Sequence, residues 1–93
     1  MRAGVETEVE FDLETVLVAE DVKNIVLFND DVNTFDFVID TLIEICKHEV
    51  LQAEQCTMLV HYAGKCQVKK GSFAELEPIC TALLDRGLTA EIQ

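Results

Sequence analysis

The segment from Val26 to Val38 constrains the fold most, because an apolar run ends in it at a polar corner and a helical pattern begins directly after that corner. The run that closes with Phe28 is apolar and rich in β-branched residues, which favours a buried strand from about residue 23. The corner, Asn29-Asp30-Asp31, consists of residues that are typical of turns. A strand that ends beside a helix start gathers backbone donors and side-chain acceptors at one point. We therefore expect a surface site at this corner.

Two helices are predicted after the corner. Asn33, with Asp36 three residues later, predicts a capping box at the start of the first helix. Its apolar residues keep helical spacing as far as Cys46, and we expect the helix to end near residues 47–48. The second helix is expected over about 51–63, with Gly64 as its stop and His61 on its last turn.

The remaining residues predict one more helix between two short strands. Residues 66–69 are β-like, and Lys70-Gly71 is typical of a turn. Ser72, with Glu75 as its partner, predicts a capping box for a third helix that runs to about residue 86. Pro78 predicts either a kink in that helix or a start later than Ser72. Residues 88–92 are expected to form the last strand.

The predicted order is therefore β-α-α-β-α-β. This order indicates a two-layer α+β domain in which a small, mainly antiparallel three-stranded sheet carries three helices on one face. We expect residues 22–93 to form this core domain. Residues 1–21 carry seven acidic side chains against a single Arg2, and we expect a flexible acidic N-terminal arm there rather than the edge strand that the alternation over residues 5–11 would also suit.

Composition narrows the classes of function. The chain has 93 residues, 49% of them apolar, which is enough for one core of modest size. A formal net charge of −11 disfavours nucleic acid as a partner, because binding to phosphates requires clustered Lys and Arg. No apolar run approaches the roughly 20 residues of a membrane span, and no secretory signal is recognisable. We expect no membrane partner and a cytoplasmic location.

The four cysteines form no CxxC pair. We expect buried free thiols rather than metal ligands or disulfides, because cysteine is among the residue types most often buried and a cytosolic chain seldom forms disulfides. The cysteines are Cys46, Cys56, Cys66 and Cys80.

The chemistry of the corner leaves several interpretations open. No nucleophile motif or glycine-rich phosphate loop is present, so we do not expect an enzyme. Asn29, Asp30, Asp31 and His61 could in principle hold a divalent ion, but their spacing is not that of a metal site. Alternatively, Asn29, Asp30 and His61 offer three acceptors to a protonated amine. Ordinary turn and capping roles account for the same residues.

Apolar residues flank these polar groups along the sequence. They suit a ligand that has one charged end and one hydrophobic side chain. These residues are Phe35, Val38, Val60 and Leu88.

Three motifs together resemble the ClpS family of adaptors. They are the strand that ends in Asn29-Asp30-Asp31, the helix start Phe37-Val38-Ile39-Asp40, and the segment from Val60 to Lys65, Val-His-Tyr-Ala-Gly-Lys. The resemblance implies the β-α-α-β-α-β fold, which is related to the C-terminal domain of the ribosomal stalk protein. It also implies a non-enzymatic adaptor without a cofactor. Such an adaptor delivers substrates with N-terminal Leu, Phe, Tyr or Trp to a Clp-type unfoldase, a hexameric ATPase.

The resemblance also implies roles for individual residues. Asn29, Asp30 and His61 correspond to the set that binds the amine, and Asn33 to a polar residue at the pocket edge. Phe35 corresponds to a gatekeeper that rejects β-branched first residues. The pocket wall corresponds to Val38, Val60 and Leu88, and Thr57 stands where the family usually has a methionine. The alternative is a protein-interaction domain of the ribosomal-stalk type that lacks such a pocket.

Overall fold

The computed structural model describes residues 22–93, and the expected N-terminal arm lies outside them. The chain forms strand β1 (Val22–Phe28), helix α1 (Phe35–Cys46), helix α2 (Val50–Ala63), strand β2 (Lys65–Ser72), helix α3 (Phe73–Asp85) and strand β3 (Thr89–Ile92). The predicted α+β class and element order are confirmed.

The three strands form one antiparallel sheet in the order β2-β1-β3. The central strand β1 is therefore paired on both sides, which agrees with its run of buried residues Ile25, Val26 and Leu27. The register with β2 shifts where Ile25 faces Lys69 and Val26 faces Gln67, so Val68 is an extra residue on β2. Such a bulge bends an edge strand and increases its twist.

One apolar core joins the sheet to the three helices. It contains Ile25 and Leu27 of β1, Leu42 of α1, Ala53 of α2 and Leu83 of α3, each at most 1% exposed. Burial of a large aliphatic side chain stabilises a fold by about 1.5–3 kcal/mol, so this shared core decides how the helices lie on the sheet.

No helix within residues 22–93 has the length and apolar character to cross a membrane.

Three of the four thiols belong to this core. Cys46, Cys56 and Cys80 are buried and Cys66 is half-buried, and all four are free, as predicted for the buried ones. Burial raises the pKa of Cys46 to about 11. Burial and a hydrogen bond with Cys66 raise the pKa of Cys56 to about 12. Both thiols are therefore protonated at neutral pH and pack as small apolar groups.

Two predictions about local structure are wrong. Asn33 does not cap α1: the N-cap is Thr34, whose side chain accepts a hydrogen bond from the backbone N–H of Phe37 at 3.1 Å. Lys70-Gly71 is not a turn, because pairing with residues 23 and 24 of β1 keeps the chain extended as far as Ser72.

The predicted helix stops and the second capping box are confirmed. Gly64 ends α2 with φ at 94°, a left-handed conformation that glycine adopts without strain. At the start of α3, Ser72 and Glu75 exchange hydrogen bonds of 3.1 and 2.9 Å. The helix therefore begins at Phe73 and continues through Pro78, so the later start is wrong.

We expect Thr34→Ala to lower the free energy of unfolding by about 1 kcal/mol, because it removes the N-cap acceptor of α1. Chemical denaturation of the two proteins measures the difference. Thr81→Ala is the matched control, since Thr81 is exposed inside α3 and alanine is the better helix former there. A Thr34→Ala protein as stable as the wild type would contradict the capping role.

Candidate functional site

The end of β1 and the end of α2 are held together by a backbone hydrogen bond. The N–H of Asn29 donates to the carbonyl oxygen of Gly64 at 3.0 Å. The left-handed conformation of Gly64 turns the chain from α2 into β2, which pairs with β1 as far as Phe28. The polar corner after β1 and His61 on the last turn of α2 are thus brought to one end of the domain.

The corner itself is organised by the carboxylate of Asp30. Its Oδ1 accepts hydrogen bonds from the backbone N–H groups of Val32 and Asn33, both at 2.9 Å. The side-chain amide of Asn33 donates to both carboxylate oxygens, at 3.2 and 3.0 Å. Asp30 is therefore a structural residue of the loop, as the turn interpretation predicted, and its Oδ2 retains capacity to accept from a ligand.

Asn33 connects this corner to a distant part of the chain. Its Nδ2 also donates to the carbonyl oxygen of Gly87 at 3.0 Å, across 54 residues of sequence. The two amide hydrogens are thereby used, one on the Asp30 carboxylate and one on Gly87. Within residues 22–93 the amide oxygen of Asn33 accepts no hydrogen bond, so it remains available as an acceptor. Gly87 directly precedes Leu88, whose own N–H donates to the carbonyl oxygen of Leu83 at 3.1 Å.

The pKa of Asp30 reflects this loop. Partial burial alone would raise it, but the hydrogen bonds from Asn33 and Val32 favour the charged form more strongly, and the pKa is lowered. A carboxyl group whose pKa is lowered by folding stabilises the folded state at pH values above its unfolded pKa. That contribution is lost as the pH falls through the folded-state pKa.

A recess opens beside the corner. Its empty volume is about 360 Å³ when the space open to solvent is included. All nine residues that the sequence analysis selected line this one recess: Asn29, Asp30, Asn33, Phe35, Val38, Thr57, Val60, His61 and Leu88. The geometry gathers them, and their role in binding a peptide stays a prediction.

Aromatic contacts define one side of the mouth. The rings of Phe35 and His61 lie edge to face, with centroids 4.9 Å apart. Tyr62 also lies edge to face with the imidazole, with centroids 4.7 Å apart. Edge-to-face packing is a favourable arrangement of two rings, and the two contacts restrict the orientation of the imidazole. Within residues 22–93 the His61 ring makes no hydrogen bond, so a nitrogen remains available to a ligand.

The inner part of the recess is apolar. Val60 and Leu88 are buried and Val38 is half-buried. Thr57 is 3% exposed, and its hydroxyl donates to the carbonyl oxygen of Ala53 at 2.8 Å. The hydroxyl hydrogen is therefore bonded within its own helix, and Thr57 leaves no unpaired donor in the recess.

Two lining residues were missed by the sequence analysis. Leu27 and Phe28, the last residues of β1, also line the recess. Their place directly before the corner was a usable signal, but the apolar strand pattern was interpreted only as core. The structure also bears on metal binding: within residues 22–93 no group of three or more His, Cys, Asp or Glu side chains is arranged to hold a metal ion.

The chain is similar to known proteins of one family. A family model described as "ATP-dependent Clp protease adaptor protein ClpS" matches residues 19–91. An ATP-dependent Clp protease adapter protein ClpS from Salmonella arizonae is 38% identical over 69 residues, which are 72% of this chain. The same protein from Cronobacter sakazakii is 37% identical over 68 residues, which are 71% of this chain. The matches span 65% and 64% of the lengths of these relatives.

A solved structure shares the fold. It is Agrobacterium tumefaciens ClpS2 bound to L-phenylalaninamide, which superposes with a TM-score of 0.75 at 19% identity. The superposition covers 78% of this chain and 95% of that chain.

We expect Asn33→Ala to raise the pKa of Asp30 toward its ordinary value, because the carboxylate loses its amide donor. A carbon-detected NMR titration of the Asp30 carboxyl measures this change. Asn29→Ala is the control, since the adjacent Asn29 amide donates no hydrogen bond to Asp30 in this structure. An unchanged Asp30 pKa in Asn33→Ala would contradict the assigned hydrogen bonds.

Proposed function

Because the chain belongs to the ClpS family, we propose that it is an adaptor that delivers N-degron substrates to a Clp-type ATP-dependent unfoldase and protease. The recess at the end of β1 and α2 binds the free α-amino group and the bulky hydrophobic side chain of the first substrate residue. The proposed adaptor is a binding module and carries out no chemistry itself.

A single observation carries this proposal: polar acceptors and an apolar wall line one recess. Asn29, Asp30 and His61 provide acceptor atoms near the mouth, and Val60 and Leu88 provide apolar surface inside. A protonated α-amine has three donors and one positive charge, so several acceptors that include a carboxylate suit it. A hydrophobic side chain on the same carbon would then enter the apolar part.

The ligand of the structural relative supports the same class of ligand. L-phenylalaninamide, bound to Agrobacterium tumefaciens ClpS2, has a free α-amine next to a benzyl group. For this chain we propose the corresponding part of a protein substrate, an unblocked N-terminal Leu, Phe, Tyr or Trp. The overall charge of −11 also favours a cationic group over an anionic one.

We expect acetylation of a Leu-first peptide to weaken its binding by about 2–5 kcal/mol. The acetyl group removes the positive charge and leaves the acceptors of the recess without a partner. Isothermal titration of free and acetylated peptides against the full chain measures the difference. Equal affinities would contradict the proposal and support the alternative function, a protein-interaction domain of the ribosomal-stalk type without an N-degron pocket.

His61→Ala is a sharper test of the amine site than Asp30→Ala. The Asp30 carboxylate holds the loop through three hydrogen-bond donors, so its removal disturbs the recess whether or not it touches the ligand. His61 is exposed and makes no hydrogen bond within residues 22–93, so its removal changes stability little. Wild-type peptide affinity in His61→Ala would exclude His61 from the amine site.

We expect Thr57→Met to raise the preference for Leu over Phe as first residue by several fold, or about 1 kcal/mol. The longer side chain reduces the space at the bottom of the recess, where the larger ring would lie. Titrations with Leu-first and Phe-first peptides measure the ratio.

Thr57→Val is the matched control for this change. Valine keeps the size of threonine and removes only the hydroxyl, which donates to Ala53 within the helix. The ratio of the two affinities should therefore stay as in the wild type. If Thr57→Val changes the ratio as much as Thr57→Met does, the hydroxyl and not the volume determines the preference.

A further inference from the structure

A second groove lies away from the recess and is basic. It lies between the α1–α2 connection and the edge strand β2. Its empty volume is about 700 Å³ when the space open to solvent is included. Lys47, Lys69 and Lys70 line it, and no Asp or Glu among residues 22–93 does. These three are half of the six Lys and Arg residues between positions 22 and 93, in a chain of net charge −11. The groove therefore combines half of the cationic side chains of residues 22–93 with no carboxylate from the same residues.

The described part of the chain offers these lysines no carboxylate partner. The ion pair found within residues 22–93 joins Arg86 to Glu44, outside the groove. Lys69 donates to the carbonyl oxygen of Cys46 at 3.2 Å, a cation at the C-terminus of α1. Lys47 and Lys70 are exposed. The groove thus presents uncompensated positive charge.

A buried histidine in the same groove has an unused polar atom. His48 is 6% exposed, and its Nε2 donates to the carbonyl oxygen of Val68 at 2.6 Å. Its Nδ1 is buried and has no hydrogen-bond partner within residues 22–93. Because Nε2 carries the hydrogen, Nδ1 is an acceptor, and its partner would be a donor such as a backbone N–H of a peptide segment rather than a carboxylate.

We propose that this groove binds the acidic N-terminal segment of the same chain, residues 1–21. The segment has seven carboxylates, at positions 6, 8, 10, 12, 14, 20 and 21, and one arginine, which accounts for −6 of the net charge of −11. It therefore complements the groove in charge. The partner that the resemblance predicts for the recess, a cationic amine, has the opposite sign.

The start of β1 lies close to the groove, so the N-terminal segment can reach it. The segment joins the domain at Val22, and Asn24, two residues later, already lines the groove. At about 3.3 Å per residue, the two positions lie roughly 7 Å apart along the strand. The recess begins at the other end of β1, and the two cavities share no lining residue. A docked segment therefore leaves the recess open to a substrate.

NMR on the full chain tests the proposal. An arm-neutral variant (Glu6→Gln, Glu8→Gln, Glu10→Gln, Asp12→Asn, Glu14→Gln) is compared with the wild type at low salt. We expect the amide signals of Gln67, Lys69 and Lys70 to differ between the two proteins. The difference should disappear at about 0.5 M salt, where the Debye length is about 4 Å. Identical groove signals at low salt would overturn the proposal and assign the groove to an anionic partner from outside the chain.

A titration in trans identifies the groove as the docking surface. A synthetic peptide of residues 1–21 is added to the arm-neutral variant and should restore the wild-type signals. Lys70→Glu in that background, which changes the net charge by the same amount as the control below, should weaken peptide binding several fold. Lys65→Glu is the matched control, an exposed lysine on the same strand outside the groove, and should bind as before. Equal weakening by both changes would show that only net charge matters and would also overturn the proposal.

Discussion

The arrangement of the recess depends on one side-chain amide, that of Asn33. Its two hydrogens connect the Asp30 carboxylate, two residues after β1, to the carbonyl of Gly87, two residues before β3. The loop after β1 and the turn before β3 are therefore held at a fixed distance. Leu88, the next residue, lines the recess and is also held by a bond from its N–H to the carbonyl oxygen of Leu83 at 3.1 Å. A side chain that forms bonds on both sides leaves only its amide oxygen for a ligand.

The structural role of the polar corner is compatible with the binding role proposed for it. Asp30 organises the loop through Val32 and Asn33, which is the turn chemistry that a corner of this composition predicts. The same hydrogen bonds lower the pKa of Asp30 and keep its negative charge at the mouth of the recess. A loop ordered before the ligand arrives avoids part of the entropy cost of binding. The two interpretations of the corner are therefore compatible.

The charges of the domain are separated along the sheet. At the Phe28 end of β1, a carboxylate and neutral acceptors line the recess, which favours a cation. Toward the Val22 end, three lysines line the groove beside β2, which favours an anion. Lys69 pairs with Ile25, which lies three residues of strand, or roughly 10 Å, from Phe28, and this distance exceeds the Debye length of about 8 Å at physiological salt. The two cavities can therefore take ligands of opposite charge with little interference.

The sequence by itself determined the features that depend on near neighbours: the end of β1, the stop at Gly64, and the capping box of Ser72 with Glu75. Each involves residues within one turn of one another, so the local pattern contains the whole interaction. It also selected nine residues that line one recess, through motifs typical of a family. Only the tertiary structure decided the cap of α1 and the end of β2. The Asn33 side chain donates to a carbonyl oxygen 54 residues away and does not cap α1. Lys70-Gly71 is extended because it pairs with β1. Both outcomes rest on hydrogen bonds between segments whose distance in the sequence is no guide to their distance in space.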